Sequence, residues 1–251
     1  MATITSQIIL HPTVNQSLKY SATTLGRDKA CISARAYRAI QYFARFYSWY
    51  LLSRGEKDVA ARWNALKTHL ATARKLMRLG KPMEHLQAAL RACLSQSSPA
   101  EQITTIGRQL GYFGYLTLDA VVWANTIKFM SLSSDTAAKV TKYSNRFWLA
   151  GILFSIVNGA IKSARLASEA KKLQGSAQAE LSEKAGTETR LSTVAAARNA
   201  TRQQLTIDML DLWIPATNIG LTNLNDGVLG IFGLITSLIA AQAQWEAVNG
   251  K

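Results

Sequence analysis

The sequence predicts an all-α, membrane-associated helical bundle with an amphipathic interfacial helix and one or two membrane-embedded C-terminal segments. Three observations carry that expectation. The 251 residues are 48% hydrophobic and 18% charged, with 4 prolines, abundant Ala and Leu, and few β-branched runs. That is a helical composition, and its charge content falls below the usual quarter of soluble domains. Residues 57–81 repeat apolar side chains at alternating intervals of four and three beside an almost wholly basic remainder. Two later stretches, 147–161 and 227–245, carry no charge.

The elements follow in order. Residues 1–98 form a basic N-terminal helical region. A first helix is expected after Thr13, with Val14, Leu18 and Leu25 on one stripe, interrupted near Gly26-Arg27-Asp28-Lys29. A longer helix covers roughly 30–53 and places Ile32, Ala36, Ile40, Phe43, Tyr47 and Leu51 at helical spacing. Tyr37, Tyr42, Phe46, Trp49 and Tyr50 surround that stripe, with Arg35, Arg38 and Arg45 among them. Such mixing fits a membrane interface, and equally a packed helix with cation–π contacts.

After a break at Ser53-Arg54-Gly55 comes the segment that says most, KDVAARWNALKTHLATARKLMRLGK. Val59, Trp63, Leu66, Leu70, Ala73 and Met77 share one helical stripe. Lys67, Arg74, Arg78 and Lys81 line one flank, Lys57 and Lys75 lie further round, and Arg62 sits on the other flank. A helix of this kind lies in an anionic membrane surface, its Lys and Arg stems snorkelling to phosphate level. The same pattern fits a calmodulin-type target, a nucleic-acid face, or a stripe packed on neighbouring helices. Gly80 and Pro82 end or bend it, and Pro82 opens a helix to about Ser95.

Residues 99–162 hold apolar helices. One covers roughly 100–131. The run 147–161 reaches about 22 Å as a helix, short of the ~30 Å hydrocarbon core. Gly151, Ser155 and Gly159 form a ladder of small residues suited to close helix packing. Residues 163–207, rich in Ala, Ser, Glu, Lys and Gln, read as a polar linker with partial helix. In 208–251, Pro215 leads into a polar turn, and 227–245 is long enough to span a membrane. Gly227, Gly230 and Gly233 recur there at every third position, as in helices that pack within lipid.

The net charge is +14 and the sequence pI about 10.0. Residues 1–91 hold 15 Lys and Arg against 4 Asp and Glu, whereas the remainder holds 14 against 11. The basic field of the N-terminal third favours phosphate-bearing partners. A nucleic-acid binder accounts for that charge but not for the glycine-rich apolar end, so no nucleic-acid partner is expected. Cys31 and Cys93 have no CxxC pairing and no accompanying His cluster, which argues against a disulfide or zinc site. The N-terminus lacks the pattern of a secretory signal. No catalytic motif is visible and His11, His69 and His85 are scattered, so no enzyme, metal site or cofactor is expected.

Several local strings resemble motifs of the peroxin-11 family of peroxisomal membrane elongation proteins, in its fungal form. They are Gly26-Arg27-Asp28-Lys29, then Gln41 to Phe46, then Arg74 to Lys81, then Asn145 to Leu149, then Asp208 to Pro215 with Asp226 to Leu238, in the family's order. The resemblance implies a peroxisomal membrane protein with a cytosolic N-terminus that drives peroxisome elongation, proliferation and fission. It implies membrane insertion through Val59, Trp63, Leu66, Leu70, Ala73 and Met77, with Lys67, Arg74, Lys75, Arg78 and Lys81 at lipid headgroups. It also implies an anionic phospholipid membrane as partner, homo-oligomerisation, and recruitment of dynamin-type fission machinery with its membrane adaptor. The competing reading is a pore for small metabolites, with Asn158, Asp119 and Lys128 facing a bundle interior.

Overall fold

The computed structural model describes residues 27–177 and 184–249. They form helices α1 (Arg27–Ser53), α2 (Lys57–Leu76), α3 (Lys81–Cys93), α4 (Pro99–Thr126), α5 (Ser134–Ala177), α6 (Lys184–Asp211), α7 (Trp213–Asn218) and α8 (Asp226–Asn249), with no strand among the described residues. The helix expected after Thr13 lies outside them.

Local chemistry sets the boundaries. Gly55, at φ +85°, turns α1 into α2 in a conformation that favours glycine. The amphipathic helix is shorter than the 57–81 expected. It ends at Leu76, where Arg78 N–H bonds Lys75 O and Leu79 N–H bonds Leu76 O in tight three-residue turns. Lys81 therefore opens α3, with Pro82 in its first turn. Ser98 caps α4, its hydroxyl accepting from Glu101 N–H. That helix stops at Thr126 rather than near residue 131, and Lys128 at φ 62° redirects the chain. Asn225 Oδ1 accepts from Val228 N–H and caps α8.

Two expectations need correction. The apolar run 147–161 is the middle of α5, a helix of 44 residues, and not a short isolated segment. At about 1.5 Å per residue α5 is roughly 66 Å long, so length no longer limits its passage through a bilayer. Nor is 163–207 a linker: α5 and α6 run antiparallel on either side of residues 178–183. Leu166 and Ala170 of α5 meet Val194 of α6, with Leu173 and Ala197 packed on them. Small side chains allow this pairing without the large apolar residues whose scarcity suggested a linker. Pro215 is buried within α7, and the polar turn expected after it follows Asn218.

Packing joins α1 to α2, α3 to α4, α4 to α5 and α5 to α6, and returns α8 to α1. The last contact depends on glycine. A Cβ on Gly227 would lie 2.5 Å from the Trp49 ring, and one on Gly230 would lie 2.6 Å from the Phe46 backbone nitrogen. A Cβ on Gly233 would strike the Tyr42 ring. Between α4 and α5, a Cβ on Gly111 would lie 2.6 Å from Gly151 Cα. Tyr42 also joins Ile214 and Leu229 in a buried cluster flanked by Trp148, Leu224 and Leu234.

Buried polar groups fix the register of the helices. Arg38 donates to both oxygens of Asp211 at 2.7 and 2.6 Å, and Thr236 of α8 donates to the same carboxylate. Ser155 and Gln204 donate to Asp208. Asn158 donates to Thr104, Thr105 and the Glu101 carbonyl, while Arg165 pairs with the Glu101 carboxylate. All but Arg165, which is half exposed, would be costly to leave unpaired.

Two helical stretches, Ser134–Gln174 and Asp226–Ala243, are long and apolar enough to cross a membrane. Only 22% and 33% of their most apolar windows are buried within the protein. Leu153 and Val157 on α5 and Ile231, Ile235 and Leu238 on α8 face outward. A core helix of a water-soluble protein would turn these residues in.

Gly230→Ala is expected to lower stability by about 1–3 kcal/mol, because backbone cannot move aside for the new methyl. Gly80→Ala, which meets nothing within 4 Å, is expected to raise it by about 0.4–1 kcal/mol. Thermal or denaturant unfolding in detergent checks the opposite signs. Asp211→Ala leaves Arg38 desolvated and unpaired and is expected to cost about 3–5 kcal/mol by the same measurement.

Candidate functional site

Helix α2 presents two chemically different sides. On the outer side Val59, Leu66, Ala73 and Met77 are exposed, while Trp63 and Leu70 are half-buried. Trp63 meets the rings of Phe43 and Tyr47 edge-on, with centroids 5.7 and 5.0 Å away. Phe43 is itself 39% exposed, and Ile40, one turn before it, is 45% exposed. The outward apolar surface therefore spans the α1–α2 hairpin and is wider than the single-helix stripe read from the sequence. Its signal was present in the spacing of Ile40, Phe43 and Tyr47, but only the tight turn at Gly55 places that ridge beside Trp63.

The inner side begins at Ala60, which is 1% exposed and accepts a hydrogen bond from Ser48 Oγ. Further along, Lys67, Arg74, Lys75 and Arg78 turn inward over a cavity of about 570 Å³ lined chiefly by α1, α2, α4 and α5, with His85 of α3, Asp211 of α6 and Ile214 and Asn218 of α7. This corrects the expected free basic flank at headgroup level. Lys75 and Arg78 pair with Asp119 of α4 at 2.9 and 2.8 Å. Lys67 lies 3.6 Å from Asp226 of α8, which also holds Arg45 at 2.6 Å. Arg78 additionally donates to the Tyr115 hydroxyl at 3.0 Å, and Arg74 donates to Gln41 Oε1. Lys81, at the mouth of the cavity, is exposed. Lys57 and Arg62 are the exposed cations of α2 that stay outside.

The electrostatics follow from the partners. Burial opposes the Arg38 charge, but Asp211 outweighs it and the pKa is raised. Burial is likewise outweighed at Arg78 by Tyr115 and Asp119. Burial, with Arg78 and Arg38 nearby, lowers Arg74 to about 10: among the described residues it has no carboxylate, and Tyr42 and Tyr115 compensate too little. Burial raises the Tyr115 pKa, so its hydroxyl keeps its proton. Burial lowers His85, which bonds Gln109 and stacks on Tyr112.

The small residues face different neighbours. Gly151 meets Gly111 of α4, whereas Ser155 donates to Asp208 and Gly159 abuts Leu205 of α6. Gly227, Gly230 and Gly233 meet the Trp49, Phe46 and Tyr42 ridge. The three residues of the pore reading do not line one passage. Asn158 is buried and hydrogen-bonded against α4, Asp119 is held by Lys75 and Arg78, and Lys128 is exposed beyond the end of α4.

Comparison with known proteins places this architecture. The family model described as Peroxisomal biogenesis factor 11 matches residues 14–245. The chain is 26% identical to Peroxisomal membrane protein PMP27 of Saccharomyces cerevisiae, an alignment covering 96% of this chain and 98% of that protein. It is 24% identical to Peroxisomal biogenesis factor 11 of Schizosaccharomyces pombe, over 84% of this chain and 88% of the relative. It is 27% identical to Peroxisomal membrane protein 11 homolog of Dictyostelium discoideum, over 95% and 98%. No solved structure matches the chain. A family model that takes in the amphipathic α2, the long α5 and the glycine-laddered α8 shows that the chain belongs to the peroxisomal biogenesis factor 11 family.

Proposed function

We propose that this chain is a peroxisomal membrane protein that elongates the membrane and so promotes peroxisome proliferation and fission. The observation that carries the reading is the outward apolar surface of the α1–α2 hairpin, with Leu66 and Met77 exposed on α2 and Ile40 and Phe43 on α1. None of the described residues covers it, and a lipid monolayer is the apolar phase that a peroxisomal membrane protein meets. Names of relatives in yeasts and Dictyostelium support the location.

The mechanism is a wedge. Val59, Trp63, Leu66, Leu70, Ala73 and Met77 enter the cytosolic monolayer at headgroup depth and expand it relative to the other. Lys57, Arg62 and Lys81 meet anionic headgroups, and the inward Lys67, Arg74, Lys75 and Arg78 serve chiefly within the protein. Each large apolar side chain contributes about 1.5–3 kcal/mol when buried, and each nearby cation about 1 kcal/mol. Anchoring through α5 and α8 raises the local concentration of the wedge, and self-association multiplies it. The N-terminus faces the cytosol, where dynamin-type fission machinery and its membrane adaptor join the elongated tubule. The role is mechanical and not catalytic.

Full-length protein reconstituted in phosphatidylserine-containing liposomes provides the test. The parent is expected to draw tubules without conducting small metabolites. Leu66→Glu with Leu70→Glu is expected to lower insertion of the wedge by roughly a hundredfold or more and abolish tubulation. Undiminished tubulation by the double variant, or a metabolite conductance that survives it, overturns the reading.

A further inference from the structure

We propose that the cavity behind α2 binds an anion bearing phosphomonoester groups, gripped by Arg74 and Arg78. This goes beyond the wedge and does not depend on it, since the cavity lies on the opposite side of α2. Its volume of about 570 Å³ falls in the usual range of small-molecule sites, roughly 300–1,000 Å³.

The case is one of charge and unmet hydrogen bonds. The α2 side and its continuation supply Lys67, Arg74, Lys75, Arg78 and Lys81 to the lining, and α1 supplies Arg38 and Arg45. Opposing them within the lining are Asp119 and Asp211, with Asp226 reaching Arg45 and Lys67 from outside it. Seven cations thus meet three carboxylates. The surplus suits an anion of two or more negative charges, and a phosphomonoester carries about −1.5 to −2 at neutral pH.

Two donors locate the ligand. Among the described residues Arg74 pairs with no carboxylate, and its hydrogen bond goes to the neutral amide of Gln41. Arg78 uses its terminal nitrogens on Tyr115 and Asp119, but its buried Nε has no hydrogen-bond partner. Such a donor is costly to leave unmet. Guanidinium groups suit phosphate because they offer several N–H donors in a fixed plane. Tyr115 accepts from Arg78 and keeps its own proton, which it can give to a phosphate oxygen. The lowered Arg74 pKa is what a desolvated cation shows when its counter-charge is missing.

The anion can arrive free in solution or as the headgroup of a lipid. Calorimetric titration of the full-length protein in phosphatidylcholine nanodiscs separates these sources, with inorganic phosphate, pyrophosphate and inositol 1,4,5-trisphosphate as soluble probes. Nanodiscs doped with phosphatidylinositol 4,5-bisphosphate supply the lipid arm, read by fluorescence transfer from protein tryptophan to a labelled headgroup. Saturable binding in the soluble arm assigns a free anion, and binding in the lipid arm alone assigns a headgroup. Arg74→Gln is expected to weaken binding about tenfold or more. Arg62→Gln, on the outer side, is expected to leave it unchanged.

Gln41→Glu guards against misreading a folding defect. It places a carboxylate where Arg74 already finds its partner, so it should keep or raise the melting temperature while suppressing binding. The soluble titration on Leu66→Glu with Leu70→Glu separates this proposal from the wedge, because loss of tubulation should leave soluble binding intact. Absence of saturable binding in both arms overturns the proposal. So does binding to Gln41→Glu as tight as to the parent.

Discussion

A glycine at every third residue lets the backbone of α8 lie directly on the ridge formed by Tyr42, Phe46 and Trp49 of α1, and that contact joins the first and last of the described helices. Once α8 is seated, Asp226 reaches Arg45 and Lys67, and Thr236 completes the Arg38–Asp211 pair. The aromatic residues of α1 are thereby divided. One set is used against glycine, and the adjoining Phe43 and Tyr47 are left to meet Trp63 of α2. The outward apolar surface and the inward basic cavity are the two sides of the hairpin that this division creates.

Charge distribution along α2 takes its meaning from the same geometry. A helical wheel shows cations flanking an apolar stripe but not what covers them. Here Asp119 from α4 covers Lys75 and Arg78, and Asp226 from α8 covers Lys67. These carboxylates lie far along the chain from their partners and belong to segments that read as apolar. Inward cations do not weaken the case for a membrane-facing stripe. They leave the apolar contribution larger relative to the electrostatic one, so the interaction should resist salt better than a purely ionic one.

Much of the fold was legible in the sequence because it rests on local signals. Pro82 marks a helix start through its missing donor, and the stripe of α2 follows from its period. The role of 163–207 was harder to read. Alanine-rich helices pair through close backbone approach, which needs few large side chains, and Leu166, Ala170 and Val194 suffice. The length of α5 was hidden because charges at Arg146 and Lys162 end the apolar run without ending the helix. The cavity was illegible for a different reason: its walls come from helices far apart in the chain, and its vacant donors appear only when Asp119, Asp211 and Asp226 have been placed.

The contact that closes the fold is also its slowest to reach. Arg45 and Asp226 are 181 positions apart, and α8 leaves the ribosome after α1 to α7. At about 5–20 residues per second, the ridge of Tyr42, Phe46 and Trp49 waits roughly 10–40 s for its partner. During that interval three large rings on a cationic helix are uncovered, a form prone to aggregation. The N-terminal hairpin therefore keeps an unfinished face until α8 has been made.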